Sequence, residues 1–249
     1  MIYLYGVTRA VQSDQLPDAA VFGGAVELMP VDDLTLVVEH VEAVVLQEML
    51  GEGAREDDTI LHNAVMAHQG FINSVAEAAD IVPFRFGTAV ENDAALAELI
   101  AQQGASLNAT LDLIAGHLEW GVKIVRSEAA RKPEATPAPA GGADYLRQLS
   151  AKKQTEDRSR ENMAELCKEV AKDVAAMAAK AQPLSLRSSD NSEARLLNMA
   201  CLLPRGSDAA LADAVNQAVG RFEDLPLRIE ISGPWPPFSF ASAGEEAAQ

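Results

Sequence analysis

The residues of this chain best equipped for chemistry are four histidines, two cysteines and one arginine set in an apolar run. His62 and His68 fall on one predicted helix. Six residues apart, they are separated by about 240° around its axis and do not face one metal. His40 and His117 are isolated, and all four read as ordinary surface or boundary histidines. Cys167 and Cys201 lie far apart, with no CxxC spacing and no nearby His to complete a metal set. Cys201 sits inside the apolar run Leu196–Leu203 and reads as a small core residue. The carboxylate pairs Asp32–Asp33 and Asp57–Asp58 fit a turn and a helix start. No P-loop, GxGxxG, HExxH, GxSxG or EF-hand pattern is present. These residues support neither a catalytic constellation nor a cofactor or metal site, so the chain reads as a non-enzyme.

Arg85 lies in the apolar run Ile81–Phe86, directly before Gly87. A guanidinium there suits pairing with a carboxylate or capping carbonyls to fix a strand–loop junction, with direct ligand contact as the competing role. Gly87 suits a tight turn or a close backbone approach. Lys123, on the strand after Trp120, reads as a solvated side chain.

The elements that must position these residues follow from hydrophobic period. Ile2–Val7, Val26–Met29 and Leu34–Val41 read as strands, the last two separated by Pro30, Asp32 and Asp33. From about Glu56 to Ala79 the pattern is helical, with Leu61, Val65, Ile72, Val75 and Ala79 on one stripe. Ile81–Phe86 returns to strand. Helices over Asp93–Gln102 and Ser106–His117 follow, broken at Gly104. The first domain, residues 1–118, is therefore expected to be α+β.

Residues 119–249 form the second expected domain. Trp120–Val125 is a strand, and Glu128–Ala143 is a linker rich in Pro, Ala and Gly. A long helix spans about 144–180. Pro183–Ser188 and Arg195–Leu203 are strands joined by the turn Ser189–Ser192. A helix over Ser207–Phe222 carries Ser207 as its expected cap, and Leu225–Ser232 is the last strand. The order βαββαβ is that of a ferredoxin-like domain. A helix of roughly 35 residues would run about 50 Å, well beyond a strand of ~17–20 Å, so part of it should project. Its segment Lys152–Glu161 is polar and reads as a solvated end or a partner-binding arm. From Met163 onward, Leu166, Val170, Val174 and Met177 form a stripe that can dock.

After the last strand comes Gly233-Pro-Trp-Pro-Pro-Phe-Ser-Phe240. Gly233 permits a turn, and Pro234, Pro236 and Pro237 remove ladder donors. Trp235, Phe238 and Phe240 on a stiff segment cannot shield one another, so they must pack on the body of the protein or on a partner.

This tail resembles the C-terminal signature of the gas vesicle GvpF/GvpL family. Ile2-Tyr-Leu-Tyr-Gly-Val7 is similar to that family's opening strand. Val82-Pro-Phe-Arg-Phe-Gly-Thr88 resembles its central motif, and Glu119-Trp-Gly-Val-Lys-Ile124 the strand that opens its second half. The motifs occur in the family's order across most of the 249 residues. The resemblance implies a modified ferredoxin-like second domain. It also implies an accessory role in gas vesicle formation, in which a minor vesicle-associated component binds the small hydrophobic shell protein during nucleation or assembly. Other vesicle accessory proteins are further possible partners. Candidate partner-binding residues are Trp235, Phe238, Phe240, Arg85, Leu166 and Val170.

Composition agrees with such a role. A net charge of −17 argues against nucleic acid or an anionic membrane as the principal partner. No stretch reaches the ~20 apolar residues of a membrane span, and the N-terminus lacks a signal-peptide pattern. A cytoplasmic protein associated with the vesicle is expected. The alternative is a ferredoxin-like small-ligand-binding or enzyme domain, since that fold hosts many functions.

Overall fold

The computed structural model describes residues 1–9, 11–17, 20–50, 59–127, 141–186, 195–222 and 225–241. The expected helix start at Asp57–Asp58, most of the linker at 128–143 and the turn at 189–192 lie outside them. The chain divides into two compact units. One is residues 1–119 with the segment beginning at Pro234; the other is residues 120–233.

The first unit is built on β1 (Ile2–Thr8), which is buried along its whole length. It lies between β3 (Leu34–His40) and β4 (Ile81–Pro83), both antiparallel to it, and β2 (Val26–Val31) forms the far edge beyond β3. The short strand β5 (Ala89–Val90) also pairs with β1. A strand in the middle of a covered sheet loses the polar alternation of a half-exposed one, which is why Ile2–Val7 is almost wholly apolar. Gly6 is required there, because a Cβ would come within 2.7 Å of the Val82 carbonyl oxygen on β4.

Tyr3 and Tyr5 share one face of β1. They pack in one cluster with Leu46 of α1 (Ala43–Leu50) and with Phe71, Ile72, Val75 and Ala76 of α2 (Thr59–Ala78). The helix α3 (Asp93–Ile114) lies against β1, β4 and β5 and supplies the separate buried set Leu96, Ile100, Leu107, Leu111 and Ile114. Asn92 caps it by accepting the Ala95 N–H at 3.1 Å.

Several boundaries differ from the sequence expectations. α3 runs through Gly104 without a break, since a helical Gly costs only about 1 kcal/mol and the stripe from Leu96 to Ile114 keeps one face buried throughout. The strand expected over Ile81–Phe86 stops at Pro83 and gives way to a turn, and His117 begins a strand instead of ending a helix. Helix α1 lies where no element was expected. β2 extends through Pro30, which an edge strand tolerates because one side of its backbone needs no partner.

In chain order the second unit contains β6 (His117–Arg126), α4 (Gly142–Met177), β7 (Lys180–Pro183), β8 (Arg195–Pro204), α5 (Asp208–Val219) and β9 (Leu227–Trp235). β6 and β9 reach the first unit at their outer ends. The sheet order is β7-β8-β6-β9. Val122 and Ile124 of β6 and Met199, Cys201 and Leu203 of β8 share one core with Leu166, Val170 and Val174 of α4 and Leu211 and Val215 of α5. On the opposite side of β6, Lys123 forms an ion pair with Glu230 at 2.8 Å, so it is not merely solvated. Ser207 precedes α5 but its side chain makes no capping bond. β9 continues through Gly233 and Pro234 to Trp235 because it is the sheet edge, where the missing proline N–H costs no ladder bond. Ile231, which strand alternation puts on one face with Leu227 and Ile229, is exposed. Among the described residues no helix is long and apolar enough to cross a membrane.

Candidate functional site

Two of the quoted motifs meet inside the first unit. β1 presents Tyr3 and Tyr5 toward α2, and α2 answers with His68, one turn before Ile72 and two before Val75. The three rings interlock with Phe71, Phe22 and Phe86: Tyr5 stacks on Phe71 at 3.9 Å between centroids, and Tyr3 meets Phe22 edge-on at 4.7 Å. Phe86 reaches His68 edge-on at 5.6 Å. The segment 82–88 is thereby held by its own aromatic residue.

Hydrogen bonds complete the hold. The Phe84 carbonyl can only accept, so the His68 Nε2 that lies 3.2 Å from it carries the proton. Nδ1 then accepts the Tyr3 hydroxyl at 2.8 Å, and the Tyr3 oxygen receives the Gly87 N–H at 3.4 Å. One circuit thus ties both ends of the turn to β1 and α2. Gly87 adopts φ +89°, a region other residues enter only with strain. Thr88 closes the turn by donating N–H and hydroxyl to the Arg85 carbonyl at 3.1 and 2.7 Å. The Arg85 side chain itself is exposed.

A second buried group, Glu39 on β3, accepts the Tyr5 hydroxyl at 2.5 Å and the N–H groups of Phe22 and Gly24 at 3.0 and 2.7 Å. Tyr5 in turn accepts the Val21 N–H at 3.0 Å. Burial pushes both tyrosine hydroxyls well above their ordinary range and lowers His68 to about 4, despite the favourable Phe84 contact. The hydrogen bonds of these groups hold the turn at residues 84–88 and the segment at 21–24.

The C-terminal tail uses the same logic. Glu119 is buried at the start of β6 and accepts both the backbone N–H and the hydroxyl of Ser239, at 2.8 and 2.6 Å. Burial raises its pKa, and the two Ser239 bonds partly offset this. Phe240 in the final 3₁₀ turn is 2% exposed, and Phe238 packs against the Tyr3–Tyr5 cluster. Trp235 remains 45% exposed. It borders a groove of about 300 Å³ whose other walls are Gln69, Asn73, Glu119 and Phe238. Gln69 and Asn73 stand one turn apart on α2 and bring carboxamides to a groove otherwise lined by Trp235, Phe238 and the Glu119 carboxyl.

The six candidate contact residues are therefore not one site. Trp235 and Phe238 line a common groove, Arg85 lies exposed on the motif turn, and Phe240 is an anchor. Leu166 and Val170, 1% and 0% exposed, belong to the core between α4 and the sheet and are corrected to structural residues. The tail, assigned by sequence to the second domain, joins the first unit, because its aromatic residues complete that unit's core. Sequence reading missed His68, Tyr3, Tyr5, Glu39 and Glu119. His68 carried a usable signal, since it falls on the α2 stripe. Glu39 and Glu119 carried none, because their partners are 34 or fewer and 120 residues away, respectively.

The chain thus combines two α+β units, a buried tyrosine–histidine circuit and an anchored aromatic tail. The family model described as gas vesicle synthesis protein GvpL/GvpF matches residues 1–242, and the chain belongs to that family. It is 28% identical to gas vesicle protein L of Streptomyces sp. (strain CB03234), over 98% of this chain and 94% of the relative. It is 26% identical to gas vesicle protein F2 of Halobacterium salinarum, over 75% of this chain and 72% of the relative. Its fold is similar to the crystal structure of GvpF from Anabaena sp. PCC7120, with a TM-score of 0.66 at 16% identity, covering 96% of this chain and 95% of that one. GvpF from Microcystis aeruginosa gives the same TM-score of 0.66 at 16% identity, over 96% and 98% of the two chains.

Proposed function

We propose that this protein is an accessory factor of gas vesicle formation that binds the hydrophobic shell protein and assists its nucleation or assembly in the cytoplasm. Family membership supports the vesicle setting. The observation that carries the contact is Trp235: it is 45% exposed at the lip of a groove while the aromatic residues that follow it are anchored. A large aromatic held rigidly at a surface suits a binding hot spot, since little side-chain entropy is lost on contact. Gln69 and Asn73 would bond to the backbone of the bound segment. A shell subunit exposes apolar surface and strand edges before assembly, and a carrier of net charge −17 keeps such a complex dispersed. Residues 119–235 are read as ferredoxin-like, a reading supported by the chain order βαββαβ and the sheet order β7-β8-β6-β9.

The test is capture of co-expressed shell protein by the full chain and by Trp235→Ala, with thermal unfolding of both. The expected result is soluble shell protein retained by the parent and lost from a variant that unfolds normally. Equal capture by both would remove the groove from the interface, and no capture by either would refute shell-protein binding.

A further inference from the structure

The groove beside Trp235 holds a carboxylate with no counter-ion. Glu119 is 8% exposed and forms one of the groove walls. Its two oxygens accept the Ser239 N–H and hydroxyl, so both bonds come from donors, as suits an ionised carboxylate, and each oxygen can accept a second bond. No Lys, Arg or His stands among the walls, which are Gln69, Asn73, Glu119, Trp235 and Phe238. Among the described residues Glu119 makes no ion pair. A buried charge ordinarily has a partner of opposite sign, because nothing else replaces its lost hydration.

The other walls suit a cation too. Trp235 and Phe238 bring aromatic rings, whose negative faces attract cations, Trp most strongly. Trp235 is held in place by the buried Pro236 and Pro237 that follow it and by the Phe238 N–H bond to the Pro236 carbonyl at 2.7 Å. Gln69 and Asn73 add carboxamide oxygens as further acceptors. An apolar side chain in this groove would strip the remaining water from Glu119 and return nothing, and a carboxylate would be repelled. A guanidinium answers every wall, since it presents five N–H donors in one plane, stacks on aromatic rings and sheds water more readily than an ammonium. We propose that the groove takes an arginine side chain presented by the bound protein segment, its guanidinium paired with Glu119 and stacked on Trp235. This rests on the groove being the contact surface put forward above, and it adds which side chain the contact selects. A cation there would also reverse the rise in the Glu119 pKa that burial causes. The net charge of −17 draws basic segments toward the chain.

Saturation-transfer difference NMR on the full chain tests it, with N-acetyl-arginine amide as the probe and N-acetyl-citrulline amide as its uncharged isostere. The arginine probe should bind with a millimolar dissociation constant, and the citrulline probe at least about fivefold more weakly. Trp235→Leu keeps an apolar surface but removes the ring, and should weaken arginine binding about fivefold or more. Glu119→Gln should weaken it about tenfold or more, with thermal unfolding verifying that the variant folds; Trp235→Leu, at an exposed position, decides the matter if it does not. Citrulline binding as tightly as arginine would overturn the proposal, as would no saturable binding below about 50 mM. So would a Trp235→Leu or a folded Glu119→Gln that binds arginine like the parent. Capture of shell protein is read separately. Capture without arginine binding refutes this inference alone, and arginine binding without capture supports it while refuting the shell-protein reading.

Discussion

Acidification should loosen the first unit through His68, by an amount that follows from its surroundings. The imidazole is 1% exposed, donates to the Phe84 carbonyl and accepts from Tyr3, so its neutral form is built into the fold and its pKa falls to about 4. In the unfolded chain the value is the ordinary ~6.5. Between these values the unfolded state binds the extra proton, so stability rises with pH and is lost as pH falls through the unfolded value. At pH ~5 the loss is about 1.4 kcal/mol for each of ~1.5 pH units, or about 2 kcal/mol, against almost none at pH ~7. Below pH ~4 the folded imidazole protonates too and the loss levels off near 3 kcal/mol. The titratable side chains against the imidazole are Tyr3 and Tyr5, and Tyr5 in turn donates to Glu39.

Urea unfolding of the parent and of His68→Gln at both pH values isolates the effect. Glutamine offers a donor and an acceptor but does not titrate. The variant should be weaker by about 1–2 kcal/mol at neutral pH, yet lose about 2 kcal/mol less on acidification. Glu119, whose raised pKa acts in the opposite direction, is common to both proteins and drops out of the comparison. Parallel losses in parent and variant would refute the assignment of a neutral, doubly bonded His68.

Five further outcomes are expected. Phe240→Ala should cost about 3–5 kcal/mol in thermal or urea unfolding because it empties a buried site, and Ser239→Ala about 1–3 kcal/mol because it strips one donor from buried Glu119. Gly6→Ala should cost about 1–3 kcal/mol or more, read as loss of soluble protein or a lowered unfolding midpoint, since its Cβ would lie 2.7 Å from the Val82 oxygen. Leu166→Ala should destabilise by about 2–5 kcal/mol. Trp235→Ala should leave the unfolding free energy within roughly 1 kcal/mol of the parent; shell-protein capture separates the two roles.

By itself, the sequence determined the local elements and the kind of protein. Period-two and period-3.6 patterns are local, so β1, β3, β8 and the docking half of α4 could be read directly. The four motifs, quoted in order, identified the family. Tertiary structure decided everything that depends on distant partners. Glu119 and Ser239 are 120 residues apart, and Tyr3 and His68 are 65 apart; no spacing rule links them, and only folding removes the water that makes their bonds obligatory. Edge position, another tertiary property, let β2 and β9 run through prolines that local rules assign to strand ends. The same apolar stripe on α4 is core at Leu166 and surface at Leu149. The side chains are identical, and what differs is whether a sheet lies beneath them.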